Sequence, residues 1–452
     1  MNSVIFENKS ISKNGIEPEN VHNVLRKVML VDGFELVLDL KKSHGLRLVD
    51  AKTGIEYFDF FSFFASSPVG MNHPKLNTPE FKEKLACAAI NKPSNSDIYT
   101  SEMAGFVDIM TRTAKPDYFK YMFFIDGGAL AVENGLKVAF DWKVRKNFAK
   151  GYKEEKGHQV IHFKEAFHGR TGYTMSLTNT DPNKILHYPK FNWPRIINPK
   201  ITFPLEENIG QVVKLEEQAV NEIYTAIKNN KDDIAVIIIE PIQGEGGDNF
   251  FRKEFFLKLR EIADENEILL MFDEVQTGVG LTGKMWAHQH YVQPDIMSFG
   301  KKVQACGIMV SGRIDDVEEH CFRKSSRINS TWGANLTDMV RAAKYLEIIE
   351  EDKLVDNSAN LGKYLLKNLE QIQIEFPNMV SQPRGLGLMC SFNMPDTETR
   401  NNFLKELYNN RLIMLGNGSR SVRFRPPLTV TMAEIDECLS IVRSVLKNQK
   451  PD

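Results

Sequence analysis

Cysteine is scarce and scattered in this 452-residue chain: Cys87, Cys306, Cys321, Cys390 and Cys438, with no CxxC pair and no metal-ligand spacing. An odd, dispersed set builds neither a disulfide framework nor a zinc site, so a reducing compartment and no bound metal are expected. A dominant charge is missing too. Fifty-seven Lys and Arg stand against 59 Asp and Glu, a net charge of −2 with no long block of one sign, which excludes the footprint of a nucleic-acid binder. Long apolar runs are absent: Ile234 to Ile239, the longest near the middle, is far short of a membrane span. The N-terminal stretch MNSVIFENKSISKNGIEPEN is polar, without a signal-peptide core. A cytosolic protein with no membrane contact is the expectation. There is also no internal repeat, low-complexity tract or Pro-, Gly- or Ser-rich linker.

What remains is an ordinary globular composition, 42% hydrophobic and 26% charged, with length for two or three domains. From about residue 120 the order of elements is informative. Tyr121 to Ile125 reads as a buried strand, Asp126-Gly127-Gly128 breaks it, and Val132, Leu136, Ala139 and Phe140 mark an amphipathic helix. Further strands are expected at Gln159 to Phe163, Ile234 to Ile239, Ile268 to Phe272 and Asp295 to Phe299, with helical patterns at Leu215 to Lys228 and Glu254 to Glu265. Such alternation predicts an α/β fold with a mostly parallel sheet covered on both faces. Beyond residue 335 come two long amphipathic helices, Leu336 to Glu350 and Leu354 to Phe376, then strands at Gly385 to Phe392 and Ser421 to Phe424 and a last helix from Met432 to Lys447. Gly45 to Val49 and Ile55 to Phe60 could pair as a hairpin. The expected division is an N-terminal segment (1–75) packing with the small domain, a large domain (76–335) and a smaller α/β C-terminal domain (336–452).

Three places carry candidate chemistry. Gly127-Gly128-Ala129 lies between strand and helix, where free N–H groups and the positive helix end can hold a phosphate. Taken alone it reads more readily as a tight turn, being neither a Walker A loop nor a dinucleotide fingerprint. Asp126 is close for an anion site, and Gly135 inside the helix costs about 1 kcal/mol relative to Ala. Second, Phe272-Asp273-Glu274-Val275-Gln276-Thr277-Gly278 ends an apolar strand in two carboxylates, at the edge where parallel sheets bind ligands; structural or metal roles are equally open there. Third, Ser298-Phe299-Gly300-Lys301-Lys302 follows another buried strand. A lysine at such a rim has its pKa lowered and can form a Schiff base, although most lysine pairs are simply solvated.

Together the three places supply what pyridoxal phosphate needs: a phosphate cradle, a carboxylate that keeps the ring nitrogen protonated, and a lysine that carries the aldehyde as an imine. The 28 residues from Asp273 to Lys301 accommodate one crossover. From about Phe58 to Pro427 the chain resembles the class III (ω-amino) aminotransferases of the fold type I group. Within them it is similar to the lysine 6-aminotransferases in six blocks, which begin at Phe63, Gly127, Phe167, Glu240, Asn329 and Val422. Where most class III enzymes have a hydroxyl at the phosphate turn, this chain has Gly127-Gly128-Ala129, as the lysine-specific group does.

The resemblance implies roles. Lys301 would carry the cofactor and serve as general base and acid, with Lys302 a neighbour. Asp273 would pair with the ring nitrogen, Gln276 reach the phenolic oxygen, Val275 and Phe167 cover the two ring faces, and Gly128 and Ala129 hold the phosphate. Thr331 would reach the phosphate of a neighbouring subunit, implying a homodimer with shared sites. Arg170 would clamp the distal carboxylate of the amine donor, and Arg423 the additional carboxylate of glutamate, masked by Glu245 until glutamate arrives. Phe63 and Phe64 would line the aliphatic channel, and Asn329 belongs to the substrate site. The implied reaction is ping-pong transfer of the ε-amino group of L-lysine to 2-oxoglutarate. The same chemistry on 4-aminobutyrate or ornithine is a rival, as is a non-catalytic binding or regulatory protein of this fold, against which retention of Lys301 and Asp273 argues.

Overall fold

A computed structural model describes residues 15–449. Residues 1–14 of the polar N-terminal stretch and residues 450–452 lie outside the described residues. The expected hairpin is present: β1 (Arg47–Val49) pairs antiparallel with β2 (Glu56–Asp59). The central sheet contains β3 (Phe119–Ile125), β4 (Gln159–Phe163), β5 (Arg195–Ile196), β6 (Ile234–Ile239), β7 (Leu269–Asp273), β8 (Ile296–Phe299) and β9 (Cys306–Ser311), in the order β3-β9-β8-β7-β6-β4-β5. Pairing is parallel from β8 to β5, whereas β9 runs antiparallel to both β8 and β3. The mostly parallel sheet is therefore as expected, with one reversed strand that the sequence pattern did not disclose.

The runs IAVIII, LLMFD and IMSF are buried throughout because both faces of the sheet are covered. Val236, Ile238, Leu269 and Met271 pack with Ala131, Val132 and Leu136 of the helix Gly128–Ala149. Their alternates Ile237, Ile239, Leu270 and Phe272 pack with Ile223, Phe256 and Leu259 of the helices Leu205–Asn229 and Lys253–Glu265. This is the period of two expected of a strand. Gly135 acquires a reason here: a Cβ at that position would meet Met271 Cε at 2.5 Å, so the glycine lets the helix lie close on the sheet.

The C-terminal third contains β10 (Ser381–Leu386), β11 (Met389–Asn393), β12 (Leu412–Ile413), β13 (Leu415–Asn417) and β14 (Ser421–Phe424). The expected single strand from Gly385 to Phe392 is instead a hairpin: Gly387, at φ +56, reverses the chain and β10 pairs antiparallel with β11. β10, β11, β14 and β13 form one antiparallel sheet, while β12 runs parallel to β2, Leu412 facing Phe58. Helices Pro79–Ile90 and Ser101–Thr113, unforeseen in the sequence, are capped by the Thr78 and Thr100 side chains. Among the described residues no helix is long and apolar enough to cross a membrane.

Candidate active site

The parallel strands β4, β6, β7 and β8 bring their carboxyl ends to one edge, and the reversed β9 adds its first residue, Cys306, beside Ile125 at the end of β3. A cavity of about 420 Å³ opens there. Gly128, Ala129, Phe167, Arg170, Glu245, Asp273, Val275, Gln276 and Lys301, named above from the sequence, all line it. Residues separated by up to 173 positions thus share one crevice.

Lys301 sits just past β8 in a left-handed conformation, φ +46. A non-glycine residue in that region is strained, as functional sites often are. Its amine has no hydrogen-bond partner among the described residues. Burial holds the amine below the usual lysine range, with Asp273 opposing and Arg423 adding to the effect. Lys302 is turned the other way, buried, with Nζ 3.4 Å from the Gln276 carbonyl.

Asp273 is buried and fixed by three donors. Oδ1 accepts from the Val275 N–H and the Ser298 hydroxyl, each at 3.1 Å, and Oδ2 from His168 Nδ1 at 2.8 Å. Glu274 points away: its carboxylate accepts from the Ala287 and His288 N–H groups, Thr277 Oγ1 and His288 Nδ1. The pleat separates the two adjacent acids, one toward the crevice and one into the fold.

At the opposite wall, Gly127 (φ +100) introduces the helix Gly128–Ala149, which no side chain caps. The Gly128 and Ala129 N–H groups have no hydrogen-bond partner among the described residues. Asp126 does not intrude on this site, because its carboxylate pairs with Lys92 at 3.5 Å. Gly128 admits Val275, whose Cγ1 would lie 2.8 Å from an added Cβ. An unpartnered amine, a fixed buried carboxylate and two free amides at a helix N-terminus fit pyridoxal phosphate as a donor set.

The two arginines differ. Arg170 is exposed at the cavity wall, with no ion pair or hydrogen bond among the described residues. Arg423, on β14, is only 3% exposed, and its Nη1 donates to Glu245 Oε2 at 3.3 Å. Burial lowers the Arg423 pKa, opposed by Glu245. Phe64, not Phe63, lies over the Arg423 guanidinium, at 5.7 Å. Phe63 and Phe64 belong to a left-handed turn, Ser62–Ala65, pinned by the Phe61 and Ser62 N–H groups on Asp59 Oδ1 and by Ser62 Oγ on the Arg425 carbonyl. Neither phenylalanine lines the cavity. Asn329 and Thr331 are exposed and lie outside its wall, in a loop held by Ser96 Oγ on the Ser330 carbonyl.

Four residues at or beside the site were given no role from the sequence: His168 and Glu240, which fall within two of the six blocks, Cys306 and Lys184. Glu240 follows β6 directly and accepts from the Phe167 and Gly244 N–H groups at 2.9 and 3.0 Å. Burial raises its carboxyl to about 7. Its signal was available, since it ends an apolar run as Asp273 does. Burial also pushes the Cys306 thiol up, opposed by the Gly127 and Lys301 N–H groups.

The family model described as Aminotransferase class-III matches residues 30–446. The L-lysine-epsilon aminotransferase of Mycobacterium tuberculosis (strain ATCC 25618 / H37Rv) is 51% identical over 431 residues, covering 95% of this chain and 96% of that protein. That of Streptomyces clavuligerus is 47% identical over 432 residues, 95% and 94% of the two chains. Among solved structures, a lysine aminotransferase from M. tuberculosis in the internal aldimine form superposes with a TM-score of 0.94 at 50% identity, covering 96% of this chain and 100% of that one.

Proposed function

The chain belongs to the class-III aminotransferase family, and we propose that it transfers the ε-amino group of L-lysine to 2-oxoglutarate, giving 2-aminoadipate 6-semialdehyde, which cyclises, and L-glutamate. The observation that carries the reading is a cavity lined by an open Arg170 and by Glu245, which pairs with the buried Arg423 behind it, in a chain similar along nearly its whole length to lysine-epsilon aminotransferases.

Pyridoxal phosphate, when bound, supplies the electron sink that makes the carbon beside the reacting amine acidic. Gly128 and Ala129 would hold its phosphate, Asp273 its ring nitrogen, Gln276 its phenolic oxygen, Val275 and Phe167 its two faces, and Lys301 its carbonyl carbon. Lys301 takes the proton from lysine Cε in the first half-reaction and returns one to Cα of the oxo acid in the second. An amine held below the usual lysine range serves this work better, because more of it is neutral near pH 7.

Arg170 orients lysine by its distant carboxylate through a bidentate contact. With lysine bound, its apolar chain meets the Glu245–Arg423 pair rather than a bare cation. Glutamate and 2-oxoglutarate carry a further carboxylate near the reacting carbon, and Arg423 receives it once Glu245 moves aside. Phe64, which lies over the Arg423 guanidinium, would border the substrate channel, and Phe63 and Asn329, outside the cavity wall of one chain, would join it only with a second subunit in place. Thr331 would reach the phosphate held in a second subunit, and exposed Trp332, Ile98 and Tyr99 nearby suit burial in a homodimer. The three-part domain division and a cytosolic setting, which rests on the odd and scattered cysteines, complete the reading.

The test is glutamate formation by purified protein over a panel of L-lysine, L-ornithine and 4-aminobutyrate, with trapping of the cyclic imine from lysine. Lysine is expected to react fastest and to yield the trapped product. Glutamate formed from the other amines but none from lysine would overturn the substrate assignment.

A further inference from the structure

Glu245 has a second cation. Lys184 closes the short turn Pro182–Lys184, and its side chain is 15% exposed. Its Nζ donates to Glu245 Oε1 at 2.8 Å and to Thr180 Oγ1 at 3.2 Å, and lies 5.2 Å from the centre of the Phe167 ring. The other oxygen, Oε2, accepts from Arg423 at the longer distance of 3.3 Å. One carboxylate is thus shared between two cations, and the closer is not the one it masks. Arg425, two residues beyond Arg423, is engaged with Asp248 in a buried ion pair and with the Phe424 carbonyl.

The charge count decides what this arrangement does. When a substrate carboxylate takes Arg423, a half-buried Glu245 loses one partner. With Lys184 present, two carboxylates face two cations and the cluster is neutral. Without it, the carboxylate that leaves Arg423 keeps no hydrogen-bonded cation and feels only the field of Arg400, whose guanidinium is held on the Gly418 carbonyl, so a partly buried negative charge loses its direct partners. The Glu245 main chain is anchored, its carbonyl accepting from the Gly418 N–H at 2.9 Å, so the exchange needs only the side chain to move.

We propose that Lys184 is a positioning residue that holds Glu245 when it leaves Arg423, and so sets the affinity of the site for dicarboxylates without contacting them. This rests on the reading that Glu245 masks Arg423.

The experiment uses the holoenzyme and glutarate, a dicarboxylate with neither an amine nor an oxo group, which binds without reacting. Dissociation constants are measured by calorimetry for wild type, Lys184→Met, Lys184→Arg, Glu245→Gln and the Lys184→Met/Glu245→Gln double variant, alongside KM for 2-oxoglutarate and for lysine. Lys184→Met is expected to weaken glutarate about tenfold, as for losing one partner of a partly buried charge pair. KM for 2-oxoglutarate should rise in parallel while that for lysine stays within about twofold, and Lys184→Arg should restore binding. In the Glu245→Gln background, which by itself should tighten glutarate, Lys184→Met should change nothing further. Unchanged affinity in Lys184→Met overturns the proposal. So does equal weakening with and without Glu245, which would make Lys184 a direct ligand. Glutarate affinity indifferent to Glu245→Gln would instead remove the mask itself, an outcome separate from anything Lys184 does.

Discussion

Replacing His168 isolates the contribution of a residue that acts through Asp273. The imidazole is wholly buried, and its Nδ1–H supplies the only bond to Asp273 Oδ2 among the described residues, at 2.8 Å, against two bonds of 3.1 Å on Oδ1. Its Nε2 has no partner among the described residues, so the ring is committed to the aspartate. A hydrogen bond to a charged group contributes about 1.5–3 kcal/mol. If that orientation is lost in the rate-limiting step, His168→Ala should lower kcat by about 10- to 150-fold and leave KM for lysine and 2-oxoglutarate within about twofold. His168→Asn keeps an amide N–H near the position of Nδ1 and should recover most of the rate, although both variants lose ring volume and destabilise the core. The assay is steady-state glutamate formation, with thermal unfolding of each variant measured in parallel. A kcat for His168→Ala within threefold of wild type would refute the reasoning, as would His168→Asn being as slow as His168→Ala.

Other residues give sharper or simpler outcomes. Lys301→Ala should lower turnover by about 10³-fold or more while leaving the melting temperature near that of wild type; sustained turnover at the normal rate would remove Lys301 from its role. Gly362, in the helix Leu354–Glu375, packs on the Gly387 backbone closely enough that an added Cβ would overlap it. Gly362→Ala should therefore destabilise by about 3 kcal/mol, read as a lowered denaturation midpoint, and an unchanged midpoint would show that the turn gives way. His162, on β4, is held by burial at about 3, against an ordinary 6.5. The unfolded chain takes up a proton that the folded one refuses, so its contribution is intact above pH 6.5 and is lost as pH falls toward 3. Between pH 7 and pH 5 this amounts to about 2 kcal/mol. Chemical denaturation at both pH values should show a flatter pH dependence for His162→Leu, and an identical dependence would contradict the assignment.

Most of the sheet was legible because β6, β7 and β8 are apolar runs of strand length, bounded by polar residues, between amphipathic helices. The reversed β9 was not: its six residues leave a turn that starts at Lys301 itself, and nothing local distinguishes a strand that returns antiparallel. Asp273 and Lys301 were legible for the same reason as the sheet, each being a charge that ends an apolar run. His168 was not, since it lies 105 residues from Asp273 in a stretch whose proximity exists only once β4, β6 and β7 are laid side by side. Lys184 was hidden in the same way, 61 residues from Glu245.

Asp273-Glu274, Lys301-Lys302 and Arg423 with Arg425 each put two like charges within two residues, and sequence alone could not divide the work. In the fold Asp273 and Lys301 reach the cavity and Arg423 lies behind it on Glu245, a cavity residue, whereas the other member of each pair is buried in an internal contact. Glu274 is bound to His288, Lys302 to the Gln276 carbonyl, and Arg425 to Asp248. A buried charge with a fixed partner is costly to disturb, so the inner member holds the backbone from which the outer one projects. Substitution of the inner residues should therefore lower stability and every kinetic constant together, whereas substitution of the outer ones should separate rate from affinity. The near-zero net charge of the chain conceals this division: the inner members are engaged in internal contacts, and among the described residues the Lys301 amine and the Arg170 guanidinium have no partner at the cavity.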